Sequence, residues 1–529
     1  MAQNKPFFIE NFSSRVEIAN TCLSDGVDYT DRHITIQSSP FRHLLLHSLL
    51  DESFFSSVKS ELLQLRFHPK ECDLFKLKQT RDFGKYPEVD CLDEESASLK
   101  RFLDLVNNDL KSWICSVFNV KLNGLVSVSG SIYNQTDYLL CHDDKLEGRK
   151  IAFIFYLVDE DWSGNEDGGC LRLFSSDHNF VPCGLPSKII APVSNTFVMF
   201  EVVPGSYHDV SEVLTNRSPR LAISGWFHSS EPSARDDHLR APLRLGHDMQ
   251  LCEDDIDFFV NCINECYTDQ TDIDRIVQIR QVFEDESILE LDKFFSNEFI
   301  QNLMRSEADF KFPTSQCPVF ERFKTLCSDS VLFASLKRLV THEMMFALLC
   351  QLTGVEMHPE SASLLSFEES QLGSHASAEK KYRCEFELRK VERSSYSVLT
   401  DDAEVMNKNS SNGTETELPN GGSFENLQES QQKVVNLDFG SGLDEEIDVF
   451  SLHLHAFFLP KNGVWDEDWG GFIVYVDEEG QEIQRLTPKH NCLTLAYVDS
   501  KTKSFLKYSN CLGGDNFYYH LMCRFYVER

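Results

Sequence analysis

Along this chain, apolar residues at helical spacing are followed by an apolar run of strand length, and this order occurs twice. In the first half, apolar residues at helical spacing surround residues 98–101, and an apolar run of strand length follows at 151–158. In the second half, a comparable helical pattern surrounds residues 335–338, and a strand-like run follows at 452–459. Helices that precede short β-runs predict an α+β, mainly β fold and not an alternating βαβ architecture.

An internal repeat relates the two halves. The tetrapeptide Ser-Leu-Lys-Arg recurs after 237 residues. A Trp in an acidic loop with a following Gly-Gly pair also recurs, as Trp162 with residues 168–169 and as Trp469 with residues 470–471, where the Gly pairs lie 302 residues apart. Because the two offsets differ by 65 residues, we expect duplicated domains with an insertion in the second.

Composition indicates where the domains begin and end. Between about residues 369 and 432 the chain is polar, acidic and non-periodic, so we expect a disordered acidic insert there. Prolines and many charges around residues 229–244 indicate a connector. The predicted organisation is an N-terminal extension at 1–30, a first domain at 31–235, a connector at 236–270 and a second domain at 271–529.

The charge balance restricts the class of partner. The 529 residues include 84 acidic and 50 basic ones, which gives a formal net charge of -34 at pH 7. Nucleic-acid binding requires Lys and Arg to neutralise phosphates, so we expect no direct nucleic-acid binding. Complementary charge favours a basic partner, although solubility alone also accounts for an acidic surface.

Cysteine usage and sorting signals indicate the compartment. The 17 Cys residues include no Cys-x-x-Cys pair, which disfavours a structural zinc site and a secreted disulfide framework. The first residues lack the charged and apolar regions of a signal peptide, and no apolar run approaches the roughly 18 residues of a membrane span. We therefore expect a protein of the cytoplasm and nucleus that has no membrane partner.

Four polar residues form the candidate chemical site. His142 and Asp144 are two apart, so on an extended strand their side chains point to the same face. His208 follows a strand-like run and a Pro-Gly turn, and Arg220 opens another strand-like run 12 residues later. Two imidazoles and one carboxylate form the facial triad of non-haem iron(II) oxygenases. A buried arginine would offer a bidentate fork to the far carboxylate of a 2-oxoglutarate cosubstrate.

Each of these residues has an ordinary alternative when it is taken singly. A His-x-Asp triplet is expected about once by chance in a chain of this composition. A histidine after a turn is commonly a surface residue, and an arginine at a strand edge commonly pairs with a carboxylate. The order and spacing of all four residues together favour the oxygenase hypothesis.

Three segments carry a resemblance to a known family. They are Leu139-Leu-Cys-His-Asp-Asp-Lys-Leu-Glu-Gly-Arg-Lys-Ile-Ala-Phe-Ile-Phe-Tyr-Leu-Val158, Tyr207-His-Asp-Val-Ser-Glu-Val-Leu214 and Arg220-Leu-Ala-Ile-Ser-Gly-Trp-Phe-His228. Over nearly its whole length, the chain resembles the eukaryotic prolyl 3-hydroxylases that modify a small-subunit ribosomal protein. The resemblance implies two tandem double-stranded β-helix (jelly-roll) domains with flanking helices, with the active site in the domain at 31–235.

The resemblance also implies roles for individual residues. By residue match, His142, Asp144 and His208 would ligate Fe(II), and Arg220, helped by Tyr156, would hold the 5-carboxylate of 2-oxoglutarate. Tyr133 matches a family tyrosine near the pocket, with strand packing as the alternative. With O2 as the second cosubstrate and ascorbate as a supporting reductant, the enzyme would hydroxylate a prolyl residue of a basic ribosomal protein and so affect translation accuracy or termination.

The second domain lacks the corresponding ligands and is expected to be catalytically degenerate. The positions that match the His-x-Asp pair, the distal histidine and the arginine fall near Asp438, Lys507 and Tyr518. His453 and His455 alternate on one strand, but they take the place of an Ile and a Phe in the first half, which favours packing over metal binding. We expect this domain to serve in docking or stability, and the protein to be a monomer or a weak dimer.

Two other functions remain open at this point. A non-enzymatic platform in translation or mRNA decay would use the fold for binding alone, and an oxygenase could instead act on a non-protein substrate. The intact His-Asp-His set favours an enzyme, and the large second domain favours a macromolecular substrate. Hydroxylation at C3 of the proline ring rests on the resemblance alone.

Overall fold

The computed structural model describes residues 12–84, 96–146, 148–230, 247–248, 256–268, 273–313, 316–355, 383–399, 450–460 and 463–527. These residues form two compact units. Unit 1 contains the described part of Met1–Arg240 and the short segment Cys317–Val319, and unit 2 contains the other described residues. Antiparallel strands predominate in both units, so the prediction of a mainly β fold is confirmed.

Unit 1 places its helices before most of its strands. Its helices are Val16–Asp25 (α1), Glu52–Gln64 (α2), Ala97–Leu105 (α3) and Lys111–Phe118 (α4), with a 3-10 turn at Ser13–Arg15 and a π-helical stretch at Val106–Leu110. Its strands are Tyr29–Thr30 (β1), Ile34–Gln37 (β2), His43–Leu46 (β3), His68–Glu71 (β4), Phe75–Gln79 (β5), Val126–Tyr133 (β6), Tyr138–His142 (β7), Arg149–Tyr156 (β8), Leu171–Ser176 (β9), Pro182–Ile190 (β10), Thr196–Glu201 (β11), His208–Val210 (β12) and Arg220–His228 (β13).

The strands of unit 1 form a sheet whose two faces have different roles. Its order is β1-β2-β3-β11-β8-β13-β6-β5-β7-β12-β9-β10, with β4 paired to β5. Because side chains alternate along a strand, β8 presents Phe153 and Phe155 to one face, where they join a core with α2 and α3. Ala152 and Tyr156 of the same strand face the other way, into a second apolar cluster. The candidate site lies on this second side.

Helix α2 shows how the helices are held against the sheet. The Asp51 side chain caps its first turn by accepting a hydrogen bond from Phe54 N at 3.0 Å. Phe55, Val58 and Leu62 recur at helical spacing and are buried, and each such burial contributes about 1.5–3 kcal/mol. A Cβ on Gly130 of β6 would lie 2.7 Å from Leu62 Cδ1, so the glycine allows α2 to approach closely.

Residues 12–30 belong to this core and do not form a separate extension. Phe12, Ala19 and Leu23 are buried in it, and Trp113 Nε1 donates a hydrogen bond to Phe12 O at 3.0 Å. The reason is that α1 carries Ala19 and Leu23 four residues apart, on one face of the helix. Residues 1–11 lie outside the described residues.

Unit 2 follows a similar order of elements. Its helices are Ile256–Cys262 (α5), Glu265–Thr268 (α6), Ile273–Glu286 (α7), Asn297–Arg305 (α8), Val331–Val340 (α9) and Glu343–Thr353 (α10), with 3-10 turns at Glu307–Asp309, Glu467–Trp469 and Cys511–Gly513. Its strands are His247–Asp248 (β14), Ile288–Asp292 (β15), Phe310–Lys311 (β16), Glu321–Arg322 (β17), Lys324–Leu326 (β18), Arg383–Val391 (β19), Tyr396–Ser397 (β20), Phe450–Phe458 (β21), Ile473–Val476 (β22), Glu482–Leu486 (β23), Cys492–Val498 (β24), Lys503–Leu506 (β25) and Tyr518–Val527 (β26).

The sheets of unit 2 pack against its helices. The largest has the order β15-β24-β21-β26-β19-β18-β16, with β14 paired to β19, and smaller sheets contain β23-β22-β25 and β17-β20. Phe259 and Cys262 of α5, which fall in the connector expected at 236–270, are buried in the helix–sheet core of this unit. Within the part of the chain that the structure describes, none of the helices combines the length and apolar character needed to cross a bilayer.

The prediction of a disordered insert at 369–432 is wrong for its middle part. Residues 383–391 form β19, which pairs with both β26 and β18. Cys384 and Leu388 face the core, whereas Glu385, Glu387 and Arg389 alternate with them. The charged residues on the second face make this strand resemble a polar linker in the sequence. The flanking residues 369–382 and 400–432 lie outside the described residues.

Candidate active site

Two adjacent strands bring the predicted histidines together. His142 is the last residue of β7 and His208 is the first residue of β12, and the two are direct partners in the antiparallel ladder. Their ring centroids lie 4.3 Å apart. Such a pairing joins residues that are 66 positions apart in sequence. The predicted pair therefore becomes one side of a compact cluster.

Asp144 completes this cluster from the turn after β7. Its backbone is left-handed, with φ of 59°, which bends the chain back toward the histidines. Its Oδ1 lies 3.4 Å from His142 Nε2 and its Oδ2 lies 3.2 Å from His208 Nε2. One donor atom of each residue lies within 4.8 Å of the others. Among the residues that the structure describes, His142, Asp144 and His208 form the one group of His, Cys, Asp or Glu side chains placed closely enough to hold a metal ion.

Hydrogen bonds fix the orientation of both imidazoles. Leu140 O lies 2.8 Å from His142 Nδ1, and Ser206 O lies 3.0 Å from His208 Nδ1. A carbonyl only accepts, so each Nδ1 donates its proton to the backbone, and each Nε2 is the ring nitrogen that faces Asp144 and is available to a metal. This outer support is typical of histidines that bind metals.

The electrostatics of the cluster favour a bound cation. Burial would raise the pKa of Asp144, but the imidazoles of His208 and His142 outweigh it and hold that pKa well below its usual range. Burial also lowers the pKa of His142, while Asp144 raises it with a net upward result. The site thus contains an ionised carboxylate between two nitrogen donors. Two imidazoles and one carboxylate suit Fe(II) and leave coordination positions open.

Arg149 is a part of the site that the sequence did not indicate. It begins β8, and its Nη1 lies 3.4 Å from Asp144 Oδ1. Its guanidinium stacks on the Trp226 ring at 3.7 Å from the centroid. Arg149 is buried, so it supplies a fixed positive charge beside the carboxylate. The only available signal was a basic residue at the start of a strand, which is too common to identify a site.

Arg220 lies at the other end of the same pocket. It is the first residue of β13 and is 1% exposed. Its Nε donates a hydrogen bond to Gly169 O at 2.6 Å, and its guanidinium lies 4.9 Å from the Tyr133 ring centroid and 5.0 Å from that of Tyr156. Burial raises the pKa of Tyr133 to about 12 and also raises that of Tyr156, with Arg220 partly offsetting both. Both tyrosines are therefore neutral.

The surroundings of Arg220 fit an anionic ligand. Within the described residues, its buried Nη2 makes no hydrogen bond of standard geometry, and neither does the Tyr156 hydroxyl. A buried donor without a partner costs about 1–3 kcal/mol, and more when it is charged. A carboxylate bound here would satisfy both groups. This is the arrangement that the far carboxylate of 2-oxoglutarate requires.

One cavity of about 420 Å³ contains all four predicted residues. Its size lies in the usual range for small-molecule sites. The β4–β5 hairpin and strands β6, β7, β8 and β13 supply most of its wall. The lining comprises Pro69, Lys70, Glu71, Cys72, Leu74, Phe75, Leu77, Gln79, Ser131, Tyr133, Leu139, His142, Asp144, Ala152, Phe153, Ile154, Phe200, His208, Val210, Arg220, Ser224, Gly225 and Trp226.

A small apolar cluster supports the metal-site strands from behind. Cys141 and Tyr207 each precede a histidine of the site, so their side chains point to the opposite face. They are buried with Phe174 of β9, and Val319 packs against them. Val319 comes from Cys317–Val319, the late segment that belongs to unit 1.

Unit 2 contains a similar turn, in which a tyrosine takes the position of Arg220. In unit 1, Trp162 Nε1 donates to Gly168 O at 3.1 Å, and in unit 2 Trp465 Nε1 donates to Gly470 O at 2.7 Å. Trp465, and not the expected Trp469, is therefore the counterpart of Trp162. Tyr518 Oη donates to Gly471 O, in the manner of Arg220 toward Gly169.

The position of unit 2 that matches His208 is also occupied by a different residue. Ser504 pairs with Tyr475 as His208 pairs with Leu173, so the match to the distal histidine lies three residues before the expected Lys507. The region near Asp438 lies outside the described residues.

The histidines of β21 are core residues. His453 and His455 face the side of the strand that corresponds to Ala152 and Ile154, not to the expected Ile and Phe. Tyr475 Oη lies 2.9 Å from His453 Nδ1 and 2.7 Å from His455 Nε2. All three are buried, so the preference for packing over metal binding agrees with the structure.

Comparisons with known proteins agree with this geometry. The family model of the 2OG-Fe(II) oxygenase superfamily matches residues 128–228. Prolyl 3-hydroxylase OGFOD1 of Xenopus laevis is 30% identical over 501 residues, which cover 90% of this chain and 84% of that protein. Prolyl 3,4-dihydroxylase OGFOD1 of Ostreococcus tauri is 36% identical over 205 residues, which cover 37% of this chain and 39% of that protein.

A solved structure is also similar to part of the chain. It is a prolyl hydroxylase from Trichoplax adhaerens in complex with a peptide fragment of hypoxia-inducible factor, with a TM-score of 0.31 and 16% identity over 41% of this chain and 92% of that one. The similarity to the Xenopus protein, in contrast, extends over almost the whole chain and confirms the resemblance predicted from the sequence. The chain belongs to the prolyl 3-hydroxylase family of 2-oxoglutarate- and iron(II)-dependent oxygenases.

Proposed function

We propose that this enzyme hydroxylates C3 of a prolyl residue in a small-subunit ribosomal protein and thereby affects translation accuracy or termination. The observation that carries the proposal is a single cavity with a cluster of two imidazoles and a carboxylate at one end and a buried, incompletely bonded arginine at the other. The names of the relatives supply the prolyl substrate. The proposed compartments are the cytoplasm and the nucleus.

Each residue of the site has a role in this proposal. His142, Asp144 and His208 would hold Fe(II), which when bound supplies the activation of O2 that couples decarboxylation of 2-oxoglutarate to hydroxylation. Arg220 would bind the 5-carboxylate through its fork, helped by the Tyr156 hydroxyl. Tyr133 stacks on the guanidinium and limits its rotation. The apolar wall of the cavity excludes water from the reacting centre.

Two features support a basic macromolecular substrate. The net charge of -34 attracts basic proteins over a distance set by the ionic strength. Lys70 and Glu71 of the β4–β5 hairpin line the cavity, so a peptide segment that enters it would meet charged groups of both signs. A monomer or weak dimer is proposed for the resting enzyme.

Unit 2 is proposed to be a duplicate of the catalytic domain that lost its ligands. The recurring Trp–Gly contact and the Tyr518 contact with Gly471 support a common origin. A hydrogen-bonded group around His455 fills the place of the cavity wall of unit 1. This unit would then act in docking or stability.

The test uses the full chain with Fe(II), 2-oxoglutarate and synthetic peptides that cover the prolines of small-subunit ribosomal proteins. We expect formation of succinate and a peptide heavier by one oxygen atom, with the hydroxyl located at C3 by fragmentation and NMR. His142→Ala should abolish both products, while His178→Ala, a change at an exposed histidine, should leave them unchanged.

The outcomes separate the alternatives. Succinate formation without any modified peptide would refute the proposed substrate and favour an oxygenase that acts on a non-protein molecule. No succinate with any peptide, together with specific binding to ribosomal proteins, would favour the non-enzymatic platform. Hydroxylation at C4 alone would refute the proposed position.

A further inference from the structure

An ion pair between Arg217 and Asp167 holds the loop that contacts Arg220. Arg217 Nε lies 2.9 Å from Asp167 Oδ1, and Arg217 Nη2 lies 2.7 Å from Asp167 Oδ2, so the pair is bidentate. Arg217 Nη1 also contacts Asp161 Oδ1 at 2.9 Å. These bonds tie the segment just before β13 to the loop between β8 and β9. We call the Arg217–Asp167 pair the clasp.

Asp167 is the buried partner of the clasp. It is 4% exposed, and its Oδ2 also accepts a hydrogen bond from Ser163 N at 2.8 Å. The side chain of Arg217 is 38% exposed, so the pair joins a fixed carboxylate to a surface arginine. The hydrogen bonds from Arg217 are the main cause that lowers the pKa of Asp167 to about 2. The carboxylate is therefore ionised near neutral pH.

The clasp acts directly on the turn that holds Arg220. Asp167 is followed by Gly168 and Gly169, and Gly169 O accepts the 2.6 Å bond from Arg220 Nε. Leu214 N donates to Asp167 O at 2.8 Å, and Gly169 N donates to Glu212 O at 3.1 Å, so the turn is held on both sides of the Gly pair. A shift of Asp167 would move the Gly169 carbonyl and, with it, the guanidinium.

Unit 2 offers an internal comparison. It keeps the Gly pair and the Trp contact, but Tyr518 and not an arginine meets the second carbonyl. The residue before its Gly pair, which corresponds to Asp167, is Trp469. The carboxylate at this position thus accompanies the arginine and is absent where the arginine is absent. A general requirement of the turn for folding would not predict this difference.

We propose that Asp167 and Arg217 are positioning residues for the 2-oxoglutarate site: the clasp fixes the Gly169 carbonyl, which in turn fixes the direction of the Arg220 guanidinium. This inference rests on the proposed function, because it requires Arg220 to bind the cosubstrate. Neither residue lines the cavity, so neither touches the cosubstrate itself. Their effect is limited to orientation.

The experiment measures 2-oxoglutarate affinity by calorimetry on the full chain loaded with Mn(II). For Asp167→Asn and Arg217→Gln we expect 2-oxoglutarate affinity about tenfold weaker, because the charge-assisted bond from Arg220 keeps its donor and loses only its direction. Mn(II) affinity and kcat at saturating 2-oxoglutarate should stay within about twofold, because the metal ligands are untouched.

Asp31→Asn provides the matched control. Asp31 also accepts from an arginine, Arg15, at 2.9 Å and from backbone N–H groups, its pKa is also about 2, and it lies in unit 1 outside the cavity wall. A similar loss of stability is expected, with no change in 2-oxoglutarate affinity. If Asp167→Asn does not fold, the surface change Arg217→Lys gives the same comparison.

Arg220→Lys in the same assay distinguishes a failure of the clasp proposal from a failure of the proposed function. If it weakens 2-oxoglutarate binding while the clasp variants bind normally, the clasp proposal is refuted and the proposed function stands. If Arg220→Lys binds normally, the assignment of the cosubstrate site itself is refuted. Loss of metal and cosubstrate affinity together in the clasp variants would also overturn the proposal, because it would show a merely structural role.

Discussion

Replacement of Gly169 by alanine should displace Arg220 and weaken 2-oxoglutarate binding without replacing any charged residue. A Cβ at this position would lie 2.6 Å from Arg220 Cδ and 3.3 Å from its Nε. Carbon atoms in contact are normally about 3.5–4.0 Å apart, so the arginine must move by roughly 1 Å. The backbone at Gly169 has φ of 66°, which adds about 1 kcal/mol of strain for alanine.

Gly26→Ala isolates the backbone part of this effect. Gly26 ends helix α1 of the same unit with φ of 68°, and a Cβ there would meet nothing within 4 Å. Both variants should therefore lose about 1 kcal/mol of stability from the left-handed backbone. Only Gly169→Ala should change the cosubstrate site. A misplacement of about 1 Å can cost about 100-fold in turnover.

The assay combines thermal unfolding with 2-oxoglutarate affinity measured in the presence of Mn(II). We expect Gly169→Ala to bind 2-oxoglutarate about 10–100-fold more weakly than Gly26→Ala, which corresponds to about 1.4–2.8 kcal/mol. The two variants should keep equal Mn(II) affinity. An affinity for 2-oxoglutarate within threefold of the control would refute the link between the Gly169 carbonyl and Arg220.

Three further predictions concern pH, the supporting cluster and the metal. Burial, together with the charges of Arg389 and Arg524, lowers the pKa of His455 to about 3. As pH falls below about 6.5, this histidine therefore takes up a proton in the unfolded chain before it does so in the folded one. The free energy of unfolding should then fall by about 1.4 kcal/mol per pH unit toward pH 5. His455→Gln should reduce this slope in urea unfolding at pH 7 and 5, and an unchanged slope would contradict the assignment. Val319→Asp places a carboxylate against Cys141 and its neighbours, so it should lower the free energy of unfolding by about 1–3 kcal/mol and weaken Mn(II) binding. The control Val331→Asp changes a residue that is 85% exposed and should have neither effect. Mn(II) at 100 times its Kd should stabilise the wild type by about 2.7 kcal/mol, reversibly on chelation, and a similar gain in His142→Ala would disprove the metal site.

Some parts of the fold left no signal in the sequence that local reasoning could use. The insert predicted at 369–432 contains β19. The sequence does not reveal this strand, because Glu385, Glu387 and Arg389 on one face hide the apolar alternation on the other. Arg149 was missed for a related reason, since a basic residue at a strand end is common and only its distance to Asp144 gives it meaning.

The sequence by itself determined the local chemistry of this protein. The spacing of His142 and Asp144, the helical repeats and the apolar alternation of the strands depend on neighbours within a few residues, where steric preference and burial period act directly. These were enough to predict the mainly β fold and the donor set that the structure brings together.

Only the tertiary structure decided which distant residues meet. His142 pairs with His208, and Arg220 reaches Gly169 across 51 positions. Such contacts depend on strand register, which the total packing of both faces selects and which a slip of one residue would reverse. No local sequence pattern reports the free energy of that packing. For the same reason, Val319 finds its place behind the metal-site strands only in the folded chain.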